Sequence, residues 1–288
     1  MATVAIFNGK GGVGKTTIAL NLAGQAASAG YRVLLWEIDG QGDSSWLVRA
    51  DLSGKETDLS RLLNNIVDVN DLILPTRVER LSLLPADANA RNADNLFIGL
   101  MRQQRLLPLF TQLQRRFDVI LFDCPPGFCD ANLKLLQAVN MVVVPCLPSP
   151  LAMRGLLRVR DFVMKARGTH APILPVFSMV DRRRRMHTIA LAEHPEWPVI
   201  PYLSEIERML VERAPLSVFA PGSAAAQLFD RLWSGIEGKL RQSHLIRIRP
   251  DATQTAEIVP LPVVKKAAEA RVRRTGAFAS VRRIYARA

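Results

Sequence analysis

The sequence predicts an α/β protein: a doubly wound, mostly parallel sheet with a phosphate-binding loop at its first βα turn and a basic C-terminal extension. Three observations carry this. An apolar, β-prone run from Val4 to Phe7 leads into Gly9-Lys10-Gly11-Gly12-Val13-Gly14-Lys15-Thr16-Thr17, and a helical pattern from Thr17 to Ala29 follows. Two later apolar runs, Arg32 to Ile38 and Val119 to Phe122, each deliver a carboxylate, Asp39 and Asp123, to a strand end, where open α/β sheets bind ligands. The 288 residues are 49% hydrophobic, enough to bury one sizeable core with chain left over.

The glycine-rich stretch fits G-x-x-x-x-G-K-[ST], with Gly9 and Gly14 as outer glycines. Glycines at 9, 11, 12 and 14 permit positive φ and let consecutive N–H groups, that of Val13 among them, approach phosphate oxygens. The following helix adds its N-terminal dipole to the same anion site. Lys15 is placed to reach β- and γ-phosphates, Thr16 to coordinate Mg²⁺ and Thr17 to touch the α-phosphate, so the cofactors expected are ATP and Mg²⁺. Lys10 is a second lysine within the loop and is not redundant with Lys15.

The stretch GKGGVGKTT resembles the deviant Walker A loop of the ParA/MinD family of P-loop ATPases. In that family the extra lysine reaches across a nucleotide-sandwich dimer, so the resemblance implies that Lys10 contacts a partner's phosphates and that ATP drives homodimerisation. The first helix ends near Ala29-Gly30, and the second strand leads into Glu37-Ile38-Asp39-Gly40-Gln41-Gly42. The family pattern there is D-x-D-P-Q-G, whose second aspartate orients the attacking water. Asp39 matches that aspartate, whereas Glu37 and Gly40 depart from the pattern.

Leu59 to Asn64 and Val69 to Leu74 read as short helices, Leu81 to Pro85 as a strand, and Leu96 to Phe117 as a long amphipathic helix bent at Pro108. Val119 to Phe122 then ends in Asp123-Cys124-Pro125-Pro126, similar to the family's Walker B segment, which implies that Asp123 faces the Mg²⁺ beside Thr16. Met141 to Cys146 is a buried strand, Gly155 to Arg167 a helix and Ile173 to Val180 a strand.

After that strand comes Asp181-Arg182-Arg183-Arg184-Arg185. The resemblance implies that this loop lies near the adenine, with Asp181 the candidate contact; the four arginines either grip nucleic-acid phosphates or form a solvated loop. A closing strand at Ile200-Pro201 and C-terminal helices over Leu216 to Ala220 and Ala224 to Ile236 complete the resemblance. Many family members carry a basic DNA-binding residue in the turn before the last helix; here that turn, Ala220 to Ala225, is uncharged, leaving Arg208 and Arg213 among the candidates.

The division expected is an ATPase domain at residues 1–238 and a basic tail at 239–288. The tail holds twelve Lys/Arg against three Asp/Glu, most of the chain's formal charge of +12. Its segments Lys265 to Arg274 and Gly276 to Ala288 have helical propensity, and three uses stay open: DNA contact, an anionic membrane surface, or partner docking. No apolar stretch is long enough to span a membrane and no export signal is read, so a cytoplasmic protein is expected; association with the nucleoid is what the resemblance implies. Cys124, Cys129 and Cys146 lack metal-ligand spacing and read as reduced thiols.

By resemblance, the function expected is a slow, Mg²⁺-dependent ATPase switch. It would dimerise on ATP, bind nonspecific DNA and position plasmid, chromosome or other cargo with a ParB-like or adaptor partner. Lys10, Lys15 and Asp39 carry the catalysis in this reading. A MinD-like protein cycling on membrane through the tail is the alternative, and an amidase or ligase of the same superfamily would need substrate-binding elements not evident between Asp39 and Asp123.

Overall fold

The computed structural model describes residues 1–48, 59–64, 66–86, 98–100, 102–164 and 171–246. Among these, the strands are β1 (Ala2–Ile6), β2 (Val33–Glu37), β3 (Leu74–Pro75), β4 (Leu81–Leu84), β5 (Val119–Asp123), β6 (Met141–Cys146), β7 (Ile173–Val180) and β8 (Val199–Pro201). They form one sheet in the order β3-β4-β2-β5-β1-β6-β7-β8. All pairings are parallel except β3 with β4.

The helices are α1 (Lys15–Ser28), α2 (Asp43–Leu47), α3 (Leu59–Leu63), α4 (Val69–Leu72), α5 (Leu106–Leu113), α6 (Asp130–Ala138) and α7 (Pro150–Met164), then α8 (Arg185–Glu193), α9 (Ser204–Glu212), α10 (Leu216–Phe219) and α11 (Ala224–Gln242). Every residue of β1, β2 and β5 is buried, as befits central parallel strands covered on both faces. Alternate side chains feed two cores. Val4, Leu35 and Leu121 pack with α1 and α11 on one face; Ala5, Trp36 and Phe122 pack with α5 and α7 on the other.

Helix α1 is pinned where it leaves the glycine-rich loop. Asn21 donates to Thr17 O (2.9 Å) and accepts from Leu216 N (3.0 Å), tying α1 to α10. Gly24 lets the two elements approach, since a Cβ there would lie 2.6 Å from Ser217 Oγ and 2.7 Å from Pro215 Cβ.

Several boundaries differ from those expected. The segment expected to be helical over Val69 to Leu74 stops at Leu72, and Leu74-Pro75 instead adds an antiparallel edge strand, where proline's missing donor is tolerated. The expected helix over Leu96 to Phe117 is interrupted at Gln104, which takes φ 56°; α5 restarts after it with Pro108 in its first turn, where no N–H is needed. Helix α7 begins at Pro150, five residues before the expected Gly155, because Ser149 caps it (Ala152 N to Ser149 Oγ, 3.2 Å) and proline suits a first helical position. Helix α11 runs to Gln242, and Leu240 and Ile246 lie in the core, so residue 238 falls inside a helix. The tail segments from Lys265 onward lie outside the described residues.

Candidate active site

The loop between β1 and α1 is shaped by its glycines. Gly12 and Gly14 take φ 68° and 82°, and Gly14 stands at the N-cap of α1 with no side chain, leaving the first N–H groups of the helix open toward the loop. Gly9 leaves room for Phe128: a Cβ there would sit 2.2 Å from the ring and would displace it.

Neighbouring strand ends hold the loop. Buried Asn8 donates to Pro145 O at the end of β6 (2.7 Å) and accepts from Lys10 N (3.0 Å). Gly127 N donates to Gly9 O (3.1 Å), and Ser178 of β7 donates to Val13 O (2.9 Å). None of Asn8, Phe128 and Ser178 stands out in the sequence: Phe128 and Ser178 support the loop from distant positions in the chain, and Asn8, next to Gly9, acts through a contact with the distant Pro145.

The two lysines have different partners. Lys15 is buried and donates from Nζ to Lys10 O (3.1 Å). Burial lowers its pKa, opposed by the charges of Asp123 and then Asp39. Lys10 donates from Nζ to Leu151 O in the first turn of α7 (3.2 Å).

Asp123, the last residue of β5, is 1% exposed. Ser44 Oγ donates to its Oδ2 (2.8 Å), whereas Oδ1 is buried with no hydrogen-bond partner. Burial pushes the Asp123 pKa up to about 7, with the nearby charges of Glu37 and Asp39 adding to it and the hydroxyls of Ser44 and Thr16 opposing it. Asp39 is half-buried, and its Oδ1 accepts from Gln41 N (3.1 Å). Cys124 and Cys146 are buried with thiols pushed upward by desolvation, Cys146 to about 12, and so are not poised as nucleophiles.

Thr16, Asp123, Lys15 and Asp39 thus converge at one end of the sheet. A carboxylate oxygen lacking a partner, on a carboxylate that a threonine hydroxyl also reaches, fits a hard cation such as Mg²⁺. Among the described residues no three His, Cys, Asp or Glu side chains are grouped as a metal site.

Beside Gly14 and Thr17 opens a cavity of about 210 Å³ lined by Ile18, Met179, Ile200 and Tyr202 among others. Met179 takes the left-handed φ of 53° where the β7–β8 register slips, and its Cε reaches to 3.6 Å from where a Gly14 Cβ would stand. Asp181 is not among the cavity's lining residues. It accepts from Arg183 Nε (2.9 Å) and lies 3.6 Å from Arg184 Nε, and the Arg183 contacts lower its pKa to about 2.

Of the other arginines, Arg182 and Arg185 are exposed, Arg208 pairs with Glu212 (3.0 Å), and Arg213 lies over the Trp46 ring (4.0 Å to its centroid). Arg182 to Arg185 share one loop and helix start; Arg208 and Arg213 belong to α9 and its C-cap.

Comparison with known proteins agrees with this architecture. Residues 1–175 match an AAA domain family. The sporulation initiation inhibitor protein Soj of Bacillus subtilis is 29% identical over 238 residues, covering 78% of this chain and 94% of Soj. The chromosome partitioning protein ParA of Caulobacter vibrioides is 31% identical over 193 residues, 65% of this chain and 72% of that protein. In structure, the Pyrococcus furiosus cell division ATPase MinD superposes with a TM-score of 0.68 at 24% identity, covering 83% of this chain and 99% of MinD, a likeness of fold. No helix among the described residues is long and apolar enough to cross a membrane. From the first glycine-rich turn to the paired strand-end carboxylates, the chain belongs to the ParA/MinD family of P-loop ATPases, on its ParA side.

Proposed function

We propose that the protein is an ATP-dependent switch that positions or segregates cargo, with ATP and Mg²⁺ as its ligands. The observation that carries this is Asp123 Oδ1, buried without a partner beside Thr16 at the foot of the glycine-rich loop.

The loop N–H groups and the N-terminus of α1 receive the phosphates, and the nucleoside enters the cavity beside Thr17. Lys15 exchanges its contact with Lys10 O for the β- and γ-phosphate oxygens. Thr16 and Asp123 are the residues that would hold Mg²⁺, and the ion would supply positive charge against the phosphates. Asp39, half-exposed and anchored to the turn by Gln41 N, orients the attacking water. Lys10 leaves Leu151 O to reach the phosphates of a second copy, so that ATP favours the homodimer.

The dimer then binds nonspecific DNA through Arg182, Arg183, Arg184, Arg185, Arg208 and Arg213, in the cytoplasm and on the nucleoid. A ParB-like or adaptor partner triggers hydrolysis and release. Residues beyond Ile246 serve as the basic tail, adding phosphate contacts to an arginine set that is partly ion-paired within the chain.

The test compares the full chain with residues 1–246 for binding to nonspecific duplex DNA across a salt series, with ATP, with ADP and without nucleotide. ATP-dependent, salt-sensitive binding by both forms is expected. Nucleotide-independent binding that disappears with the tail would overturn the DNA-cycling switch.

A further inference from the structure

Glu37 stands where the family pattern has aspartate, and its longer side chain is fully engaged. Helix α2 has only five residues, and its N-cap, Gly42, has no side chain with which to satisfy the first N–H groups. Glu37, the last residue of β2, supplies the acceptor from across the loop: its Oε1 accepts from Ser44 N (2.7 Å) and Ser45 N (3.2 Å). The Ser45 hydroxyl and Ala86 N donate to its Oε2. The segment that carries Asp39 is therefore closed at its base by Glu37 on one side and Ser44 on the other.

This cap has a consequence next door. Glu37 is paired with Asp123 in the β2–β5 register, and the turn it fixes holds the fully buried Ser44 with its hydroxyl 2.8 Å from Asp123 Oδ2. A hydrogen bond to one oxygen limits rotation of the carboxylate and leaves Oδ1 as the oxygen presented. An aspartate at 37 would end roughly 1.5 Å short of the α2 N–H groups.

We propose that Glu37 and Ser44 are positioning residues for the cation bound by Asp123 and Thr16: Glu37 fixes the first turn of α2, and through it Ser44 orients the metal carboxylate. The inference rests on the Mg²⁺–ATP reading of the site. It also makes the placement of the Asp39 segment and the orientation of Asp123 depend on the same turn.

The test uses the full chain and a fluorescent ATP analogue, whose binding is titrated with magnesium and measured separately in EDTA. Ser44→Ala removes one buried hydroxyl, and Glu37→Asp shortens the cap. Both are expected to raise the magnesium concentration for half-saturation by about tenfold, while affinity in EDTA stays within about twofold of wild type. Unchanged magnesium dependence in Ser44→Ala would overturn the proposal. So would an equal loss of affinity in EDTA, which marks general damage to the loop. If Glu37→Asp fails to fold, Ser44→Ala carries the test alone. Wild-type protein that binds the analogue in neither condition would instead overturn the Mg²⁺–ATP reading itself.

Discussion

Asp123 and Asp181 both stand at the C-terminal ends of parallel strands, β5 and β7, yet their surroundings drive them in opposite directions. Asp123 is enclosed by the sheet and α2, has one unpartnered oxygen, and is pushed up to about 7 by burial. Asp181 is at the surface between arginines, and its contacts with Arg183 bring it down to about 2. The difference shows what makes a strand-end carboxylate part of a site. A surface carboxylate that satisfies itself with neighbouring guanidinium groups gains little and needs no ligand. A buried one with an unmatched oxygen retains a desolvation cost that a bound cation can offset.

The largest effect that sharpens this contrast is at Asp123 itself. Asp123→Asn keeps the shape and removes the charge, and it should lower ATP hydrolysis by about a hundredfold or more at saturating magnesium. A rate near wild type would remove Asp123 from the cation site.

A second effect follows from protonation. Between the ordinary 3.8 and about 7, folded Asp123 keeps a proton that the unfolded chain has released. Raising the pH through this window therefore favours the unfolded chain, and the metal-free protein should lose stability by a few kcal/mol. Buried Glu37, whose pKa is also raised by desolvation, contributes with the same sign. In denaturant melts with EDTA, Asp123→Asn should flatten this slope without abolishing it. An unchanged slope would mean that Asp123 is ionised throughout.

The smallest effect belongs to Asp181. Asp181→Ala should leave hydrolysis unchanged and shift the melting midpoint only marginally, because its partners are exposed. A marked fall in ATP affinity would instead place it on the nucleotide.

Much of this was legible in sequence for a physical reason. The glycine-rich loop and the apolar runs into Asp39 and Asp123 are local patterns, and each element depends mainly on its own residues. Glu37 was visible as a departure, but its use as a cap for α2 was not, since that depends on a loop folding back seven residues later. Ser44 carried no signal at all: one serine of a Ser-Ser pair in a polar turn is commonplace, and only the turn after β2, laid beside β5, places it on Asp123. Asp181 illustrates the converse. Its position after a strand drew attention, while the arginines that occupy its carboxylate lie two and three residues away. The Pro150 start of α7 was obscured because proline reads equally as a breaker and as a first helical residue.

The most direct test of the central claim is binding and hydrolysis of ATP by wild type and Lys15→Ala, each with magnesium and with EDTA. The account predicts magnesium-dependent binding and slow hydrolysis in wild type, with hydrolysis reduced by about a hundredfold or more in Lys15→Ala. Equal hydrolysis by the two proteins would contradict it.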